Sequence, residues 1–315
     1  MKPIFRVLSV FQLLLFSLLF SPSVLSVGVE FKKTDDSIEI LSNKKRLLLY
    51  VFNTNQFKPY VKELYTLDGR NVLLDSPPDH LHHHGLMYAV TVDGINFWEE
   101  SKNAGVEYPV KITDTSTHAN DEREWAEFSQ LIHWISPTNR SKATDEAAAL
   151  LIEKRTIKLF VNKKTDEILL EWIGEFAVPS SVPKVILSGT DYHGLGVRFP
   201  RAFDKVARHF NQKNLPYQTA GKHDLIEAQW AAVSAVFENK PLTLCIITDN
   251  TVKGRSVFFS MTDPFAYLSA TQGINKEPLI YHSGDKFSIR YLLILTAKEL
   301  TPDDINTQMG KWLKN

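Results

Sequence analysis

Short apolar-rich runs, many alternating polar with apolar residues and separated by turn dipeptides, fill nearly the whole chain and constrain its fold most. Side chains of an extended segment point to opposite faces in turn, so such alternation reads as strands with one covered face. Candidate strands run over Ser37–Leu41, Arg46–Phe52, Tyr60–Thr66, Leu86–Val92, Trp125–Ile135, Ile152–Val161, Ile168–Phe176, Leu242–Thr248, Val257–Met261 and Phe287–Leu295. Asp68-Gly69, Asp93-Gly94, Asn162–Thr165, Asp249-Asn250 and Ser283-Gly284-Asp285 punctuate them with turn-forming residues. The pattern predicts an all-β protein, a large antiparallel β-sandwich.

One helix is expected, at the C-terminus. Thr301 can cap it, and Asp303 and Asp304 suit the positive end of its dipole. Ile305, Met309, Trp312 and Leu313 then form an apolar stripe that should pack on the outside of a sheet. No repeat, low-complexity tract or Pro/Gly/Ser-rich linker divides the chain, so residues 27–315 are read as a single domain.

The beginning of the chain reads differently. Lys2 and Arg6 flank the start of an apolar stretch, Val7 to Phe20, and Val24-x-Ser26 offers a small-residue cleavage site. The stretch is short for a bilayer span of roughly 20 residues. Residues 1–26 are therefore expected to be a cleaved signal peptide, and the mature protein to be exported, periplasmic or extracellular, without a membrane attachment. The only cysteine, Cys245, sits in the apolar run L-T-L-C-I-I and is expected in the core, unavailable for an internal disulfide. Lys and Arg (36) balance Asp and Glu (36) with no basic block, which argues against nucleic acid as a partner and leaves a small molecule or glycan.

The chemistry concentrates in D-H-L-H-H-H-G, Asp79 to Gly85, which holds four of the ten histidines. Imidazole transfers protons near neutral pH and is the commonest metal ligand. The Asp93-Gly94 turn should join Leu86–Val92 to Ile95–Glu99, with Val92 opposite Ile95, Val90 opposite Phe97 and Tyr88 opposite Glu99. The histidines then lie where sheet meets loop, a common place for sites. Three uses are open. As metal ligands, His82 and His84 share one side of an extended segment, but in this register Glu99 lies about 13 Å along the sheet from His84, too far for a shared ion. As an acid–base site, Asp79 orients His80, and His80 and His83 face a polar pocket. As a hydrogen-bonded turn, Asp79 caps backbone amides and the histidines are merely solvated.

A second segment, G-T-D-Y-H-G-L-G-V-R-F from Gly189 to Phe199, places Tyr192, His193 and Arg198 among glycines that allow close backbone approach. His83, His80, Asp79 and His193 are the catalytic candidates. His84, Tyr192, Arg198 and Trp98 are the ligand-binding candidates. Trp125, Trp134, Trp172 and Trp230 are mostly core candidates, with one or two at a rim able to stack on a sugar ring. No cofactor is expected; a divalent metal on His82 and His84 is the alternative.

The run S-P-P-D-H-L-H-H-H-G-L-M-Y-A-V-T-V-D-G-I-N-F-W resembles an uncharacterised bacterial family, often labelled methane oxygenase PmoA, with the pattern D-H-P-H-H-R-G-L, a short strand, then N-G-x-D-F-W. H-G-L-G-V-R-F-P at 193–200, E-A-Q-W at 227–230, D-P-F at 263–265 and the closing strand and helix match in order, so the resemblance covers most of the mature chain. Asp79, His80, His83, Gly85 and Trp98 match the pattern. Leu81 stands where proline is usual and His84 where arginine is usual, so a fixed cation at 84 is not expected; Asp93 and Asn96 exchange the pattern's Asn and Asp. The tail from Ala270 to Leu295 is similar to the end of aldose epimerases, which implies a galactose-mutarotase-like supersandwich. Those enzymes use a Glu base just before the final loop, and Leu268-Ser269-Ala270-Thr271 has no carboxylate there. The expectation is an exported carbohydrate-active protein working by histidine acid–base chemistry, with a non-catalytic glycan-binding module and a metal-dependent enzyme as alternatives.

Overall fold

The computed structural model describes residues 28–162, 164–213, 223–249 and 255–314. The leader read at 1–26 lies outside the described residues, as do residue 163 and Asn250 of two turn signals. Every strand pairing among the described residues is antiparallel. No described helix is long and apolar enough to cross a membrane.

A nine-stranded sheet runs in the order Val29–Lys33, Ser37–Ser42, Lys45–Val51, Tyr60–Leu64, Leu86–Ala89, Gly194–Arg198, Tyr267–Ala270, Val257–Met261 and His223–Glu227. An eight-stranded sheet runs Arg208–Asn211, Trp230–Phe237, Lys240–Thr248, Lys286–Thr296, Glu167–Ala177, Ala149–Asn162, Arg123–Ile135 and Val106–Ala119. A small sheet of Leu279–His282, Lys184–Ser188, Thr91–Val92 and Ile95–Asn96 makes a third layer element.

The two large sheets face each other over one apolar cluster that draws on the chain from Val29 to Leu295. Tyr50 of the first sheet meets Phe128 of the second with ring centroids 5.0 Å apart, and its hydroxyl donates to Gln130 Oε1 at 2.6 Å. The sandwich and its C-terminal helix are as the alternation predicts. Ile38 and Ile40 are fully buried while the alternating Ser37 and Glu39 are half-exposed, the signature of a strand with one covered face. The strand Lys240–Thr248 has both faces covered: Leu244 and Ile246 enter the main core, Cys245 and Ile247 the second cluster under the helix. That is why its sequence is a continuous apolar run.

The helix Pro302–Trp312 begins with a capping box, Thr301 accepting from the Asp304 amide and Asp304 from the Thr301 amide. Ile305 and Trp312 seal the outer face of the eight-stranded sheet, each worth about 1.5–3 kcal/mol of burial. Leu313 departs from the expected stripe; it follows the last helical turn and is exposed.

The segment Leu86–Val92 is not one strand. It pairs in the nine-stranded sheet as far as Ala89, breaks at Val90, and resumes at Thr91 in the small sheet. Val92 does face Ile95, across a turn in which Asp93 (φ 49°) and Gly94 (φ 77°) both take positive φ. Tyr88, however, pairs with Leu195 and not with Glu99. The cause is Asn96, whose Oδ1 accepts the amides of Trp98 at 2.7 Å and Glu99 at 3.0 Å. This side-chain turn bends the chain and returns Trp98 over the sheet.

Candidate functional site

The histidine loop is built by its own backbone. The His80 amide donates to Pro77 O at 2.9 Å, the His83 amide to His80 O at 3.0 Å, and the Ser76 amide closes the loop onto His83 O at 2.9 Å. Leu81 is left in solvent. The chain then dives into the sheet at Gly85, where a Cβ would sit 2.7 Å from Val61 O and 2.9 Å from Lys62 O. Only glycine passes there.

On one side of this loop lies an open cavity of about 390 Å³. His80, His82 and His83 form one wall. Trp98, Tyr192, Phe259, Phe265 and Tyr267 supply five aromatic walls, and Glu99, Asp191 and Met261 complete the lining. His80 and His83 stack at 4.5 Å, and His83 lies 5.4 Å from Phe265, 5.9 Å from Tyr267 and 6.4 Å from Trp98, centroid to centroid. Burial, reinforced by the neighbouring imidazoles and Arg198, pushes His83 down to about 3, so its ring is neutral at physiological pH. Burial and then Lys58 lower the half-buried His82 as well.

Asp79 Oδ2 lies 3.1 Å from His80 Nδ1, and Asp79 Oδ1 accepts from Arg201 Nη2 at 2.6 Å. The His80 hydrogen bond, then Arg201 and Arg198, hold Asp79 down at about 2. A carboxylate on Nδ1 selects the tautomer that leaves Nε2 with a lone pair.

The second segment contributes in depth. Tyr192 lines the cavity, but His193 does not: it is 2% exposed and stacks on the far face of Trp98 at 5.2 Å and 13°. Burial and then Lys58 push it down to about 4. Arg198 is also set back. It is fully buried, its guanidinium carbon 3.8 Å over the Phe265 ring, with Nη1 donating to Ala266 O at 3.2 Å. Neither His193, expected to be catalytic, nor Arg198, expected to contact ligand, is part of the cavity lining: each backs an aromatic wall. Beneath them Gly196 is required, because a Cβ there would meet the Tyr267 hydroxyl at 1.8 Å and the Trp98 ring at 3.0 Å.

His84 belongs to the other side of the loop. Its Nδ1 lies 2.8 Å from Asp75 Oδ1 and its Nε2 2.7 Å from Glu100 Oε1, with Tyr60 stacked on the ring at 3.9 Å. Two carboxylates on two ring nitrogens need two N–H groups, hence an imidazolium. Burial alone would lower the His84 value, but the bonds to Asp75 and Glu100 outweigh it and raise it. A cation thus stands at 84 after all, against the expectation from the missing arginine. His84, a candidate for ligand or metal binding, has both ring nitrogens engaged by carboxylates on the side of the loop away from the cavity. The fully buried Lys58 adds a second cation, its Nζ 3.1 Å from Glu100 Oε1 and 2.9 Å from Trp98 O. Among the described residues, no group of three or more His, Cys, Asp or Glu side chains is arranged to hold a metal ion.

Phe259, Met261, Phe265 and Tyr267 were not singled out as site residues from the sequence. The D-P-F motif carries the signal for Phe265, and the glycine at 196 the signal for Tyr267.

Three solved structures illustrate the architectures to which the chain is similar. One is an α-galactosidase from Lactobacillus brevis, 8% identical, with a TM-score of 0.45 over 85% of this chain and 39% of that one. Another, from Klebsiella pneumoniae and provisionally described as an aldose 1-epimerase, is 12% identical, with a TM-score of 0.44 over 89% and 82%. A galactose mutarotase-like protein from Clostridium acetobutylicum is 10% identical, with a TM-score of 0.46 over 86% and 99%. This chain spans about two fifths of the length of the α-galactosidase it matches. A search of curated proteins returned no match. Residues 37–309 match the model of a family described as a family of unknown function, DUF6807, and the chain belongs to that family.

Proposed function

We propose that the histidine cavity binds a sugar ring and that the protein is a carbohydrate-active enzyme working by histidine acid–base chemistry. One observation carries the proposal: two stacked imidazoles, His80 and His83, one of them tied to the carboxylate of Asp79, share a cavity with five aromatic rings. Aromatic faces stack on the C–H faces of a sugar, and neutral imidazoles both donate to and accept from hydroxyls. His80 Nε2, freed by the Asp79 bond at Nδ1, takes a proton from a sugar hydroxyl or ring carbon and returns it. Asp79 stabilises the imidazolium formed meanwhile. His83, held neutral, fixes a hydroxyl beside it. Trp98 and Tyr192 bound the ring, and His193 and Arg198 hold Trp98 and Phe265 in place from behind.

The low basicity of His83 favours a second reading, a non-catalytic glycan-binding module in the same cavity. Turnover of a panel of mono- and disaccharides by the native protein, with His80→Ala as control, separates the two. Turnover lost in His80→Ala supports the enzyme. Turnover unchanged in that variant overturns the assignment, and binding without turnover selects the module. The leader read at residues 1–26 adds export to the proposal. Exported protein beginning at Val27 supports this, and an intact Met1 overturns it.

A further inference from the structure

We propose a second binding site, separate from the histidine cavity, that takes a carboxylated sugar ring, a uronate. A cavity of about 480 Å³ lies on the outer face of the eight-stranded sheet, beside the helix Pro302–Trp312. The strand register builds it. His118 pairs with Trp125, Trp125 with Phe160 and Phe160 with Leu169, so one row across four strands consists of rings and apolar carbon. Trp125 and Phe160 are half-buried, their ring centroids 5.8 Å apart, and His118 stacks on the indole at 4.9 Å. Two residues along the same face, Lys158 pairs with Glu127 on one side and Glu171 on the other. An aromatic row thus adjoins a charged one. The first suits the C–H face of a sugar.

The second selects the sign of the ligand's charge. The described lining carries four basic side chains, Arg123, Lys158, Arg290 and Lys311, and one acidic, Glu171. The stretches outside the described residues contain no Asp or Glu, so they add no carboxylate side chain to this balance. Glu171 is spent inside the fold: its Oε1 accepts from Arg290 Nη2 at 2.8 Å and from the Trp312 indole N–H. Arg290 also faces Asp249 at 3.7 Å. The charges offered to a ligand are then those of Arg123, half-buried at the start of its strand, and Lys158. Lys158 pairs with Glu127 at 3.1 Å, but both side chains are partly exposed, and a pair of that kind contributes little, so the ammonium can turn to a ligand carboxylate instead. The guanidinium fork of Arg123 matches a carboxylate in two parallel hydrogen bonds. A neutral sugar would gain the aromatic row alone, and a small anion the charges alone; a uronate gains both.

Calorimetric titration of the full chain near neutral pH and at low salt with glucuronate, glucose and acetate tests this. Glucuronate is expected to bind about tenfold or more tighter than either of the others. Trp125→Ala and Arg123→Gln should each weaken glucuronate binding about tenfold, and Lys158→Gln by less, with circular dichroism checking the fold of each variant. His83→Ala, which disturbs the other cavity, should return the glucuronate affinity of the native protein. Glucose binding as tightly as glucuronate overturns the role of the carboxylate, and acetate binding as tightly overturns that of the ring; either result overturns the proposal. Glucuronate binding lost in His83→Ala and kept in Trp125→Ala places the uronate in the histidine cavity, which overturns the second site and leaves the sugar reading of that cavity standing. No binding of glucuronate overturns the second site whatever the histidine cavity does.

Discussion

His83 and His84 are neighbours in the chain and opposites in the fold. His83 turns into a cavity of rings and is neutral; His84 turns into a nest of carboxylates and is charged. Both are 7% exposed, so burial does not distinguish them. The partners do: His83 finds Phe265, Tyr267 and Trp98, whereas His84 finds Asp75 and Glu100. One loop thereby presents a cavity face and an ion-paired face, and the ion cluster on the second is tied to the first through Lys58 and the Trp98 carbonyl.

The difference can be broken most severely on the cavity side. His80→Ala should lower turnover of the proposed sugar substrate by roughly 10²–10⁴-fold with little change in stability, the usual cost of losing a positioned acid–base group. A loss below tenfold would remove His80 from the chemistry. On the structural side, Glu100→Gln should do the reverse. It leaves Lys58 buried with no carboxylate and His84 with one, and should cost about 3 kcal/mol in urea unfolding. An unchanged midpoint would mean the cluster is not holding the loop.

Protonation sharpens the contrast. His84 binds its proton more tightly folded than unfolded, so its contribution is whole below its unfolded value near ~6.5 and is lost as pH rises through the raised folded value. His83 binds its proton less tightly folded. Between about 3 and the unfolded value the unfolded chain takes up the extra proton, so stability falls on acidification. His193 and His209, pushed to about 4 and about 3 by burial, share that acid limb. Urea midpoints measured across pH should show His83→Asn with a shallower acid limb and an unchanged alkaline one; the opposite pattern would reverse the assignment. The smallest effect is expected of His84→Arg, which keeps a cation between Asp75 and Glu100. It should change stability by less than about 1 kcal/mol below pH 6 while flattening the alkaline limb, whereas His84→Gln should not. Equal losses in both variants would show that shape, not charge, matters at 84.

The sheets were more legible than the site. Strands with one covered face declare themselves by alternation, and Ser37–Ser42 and Lys45–Val51 lie within a residue of their reading. Val106–Ala119 escaped because it is a polar edge strand carrying Pro109, with only two residues buried and half of the strand exposed, and so has no apolar period to detect. Gly194–Arg198 escaped for the opposite reason: all five residues are buried on both faces, and five residues between glycines look like a loop. Within the site, the Asp79–His80 pair was visible because its members adjoin in sequence. Glu100 reaches His84 only because Asn96 bends the chain, and a straight hairpin register, which put Glu99 about 13 Å away, could not foresee it. Phe259 and Tyr267 on adjacent strands, and Phe265 in the connection between them, reach the site because Tyr267–Ala270 pairs with the distant Gly194–Arg198, which local pattern does not encode.

The break at Val90 has a consequence for how such a protein diversifies. It hands the chain from the nine-stranded sheet, which carries Tyr267 and Phe259, to the small sheet, whose last strand leads into Trp98 and Glu99. The cavity floor and its lip are thus borne by separately hydrogen-bonded frames, the chain passing from one to the other most abruptly at Val90. Substitutions or insertions around Asp93-Gly94 or between Lys184–Ser188 and Leu279–His282 can retune what the lip admits without disturbing the strand register beneath. On the proposed function, the same imidazole pair could in this way meet different ligands as the lip is altered above an unchanged floor.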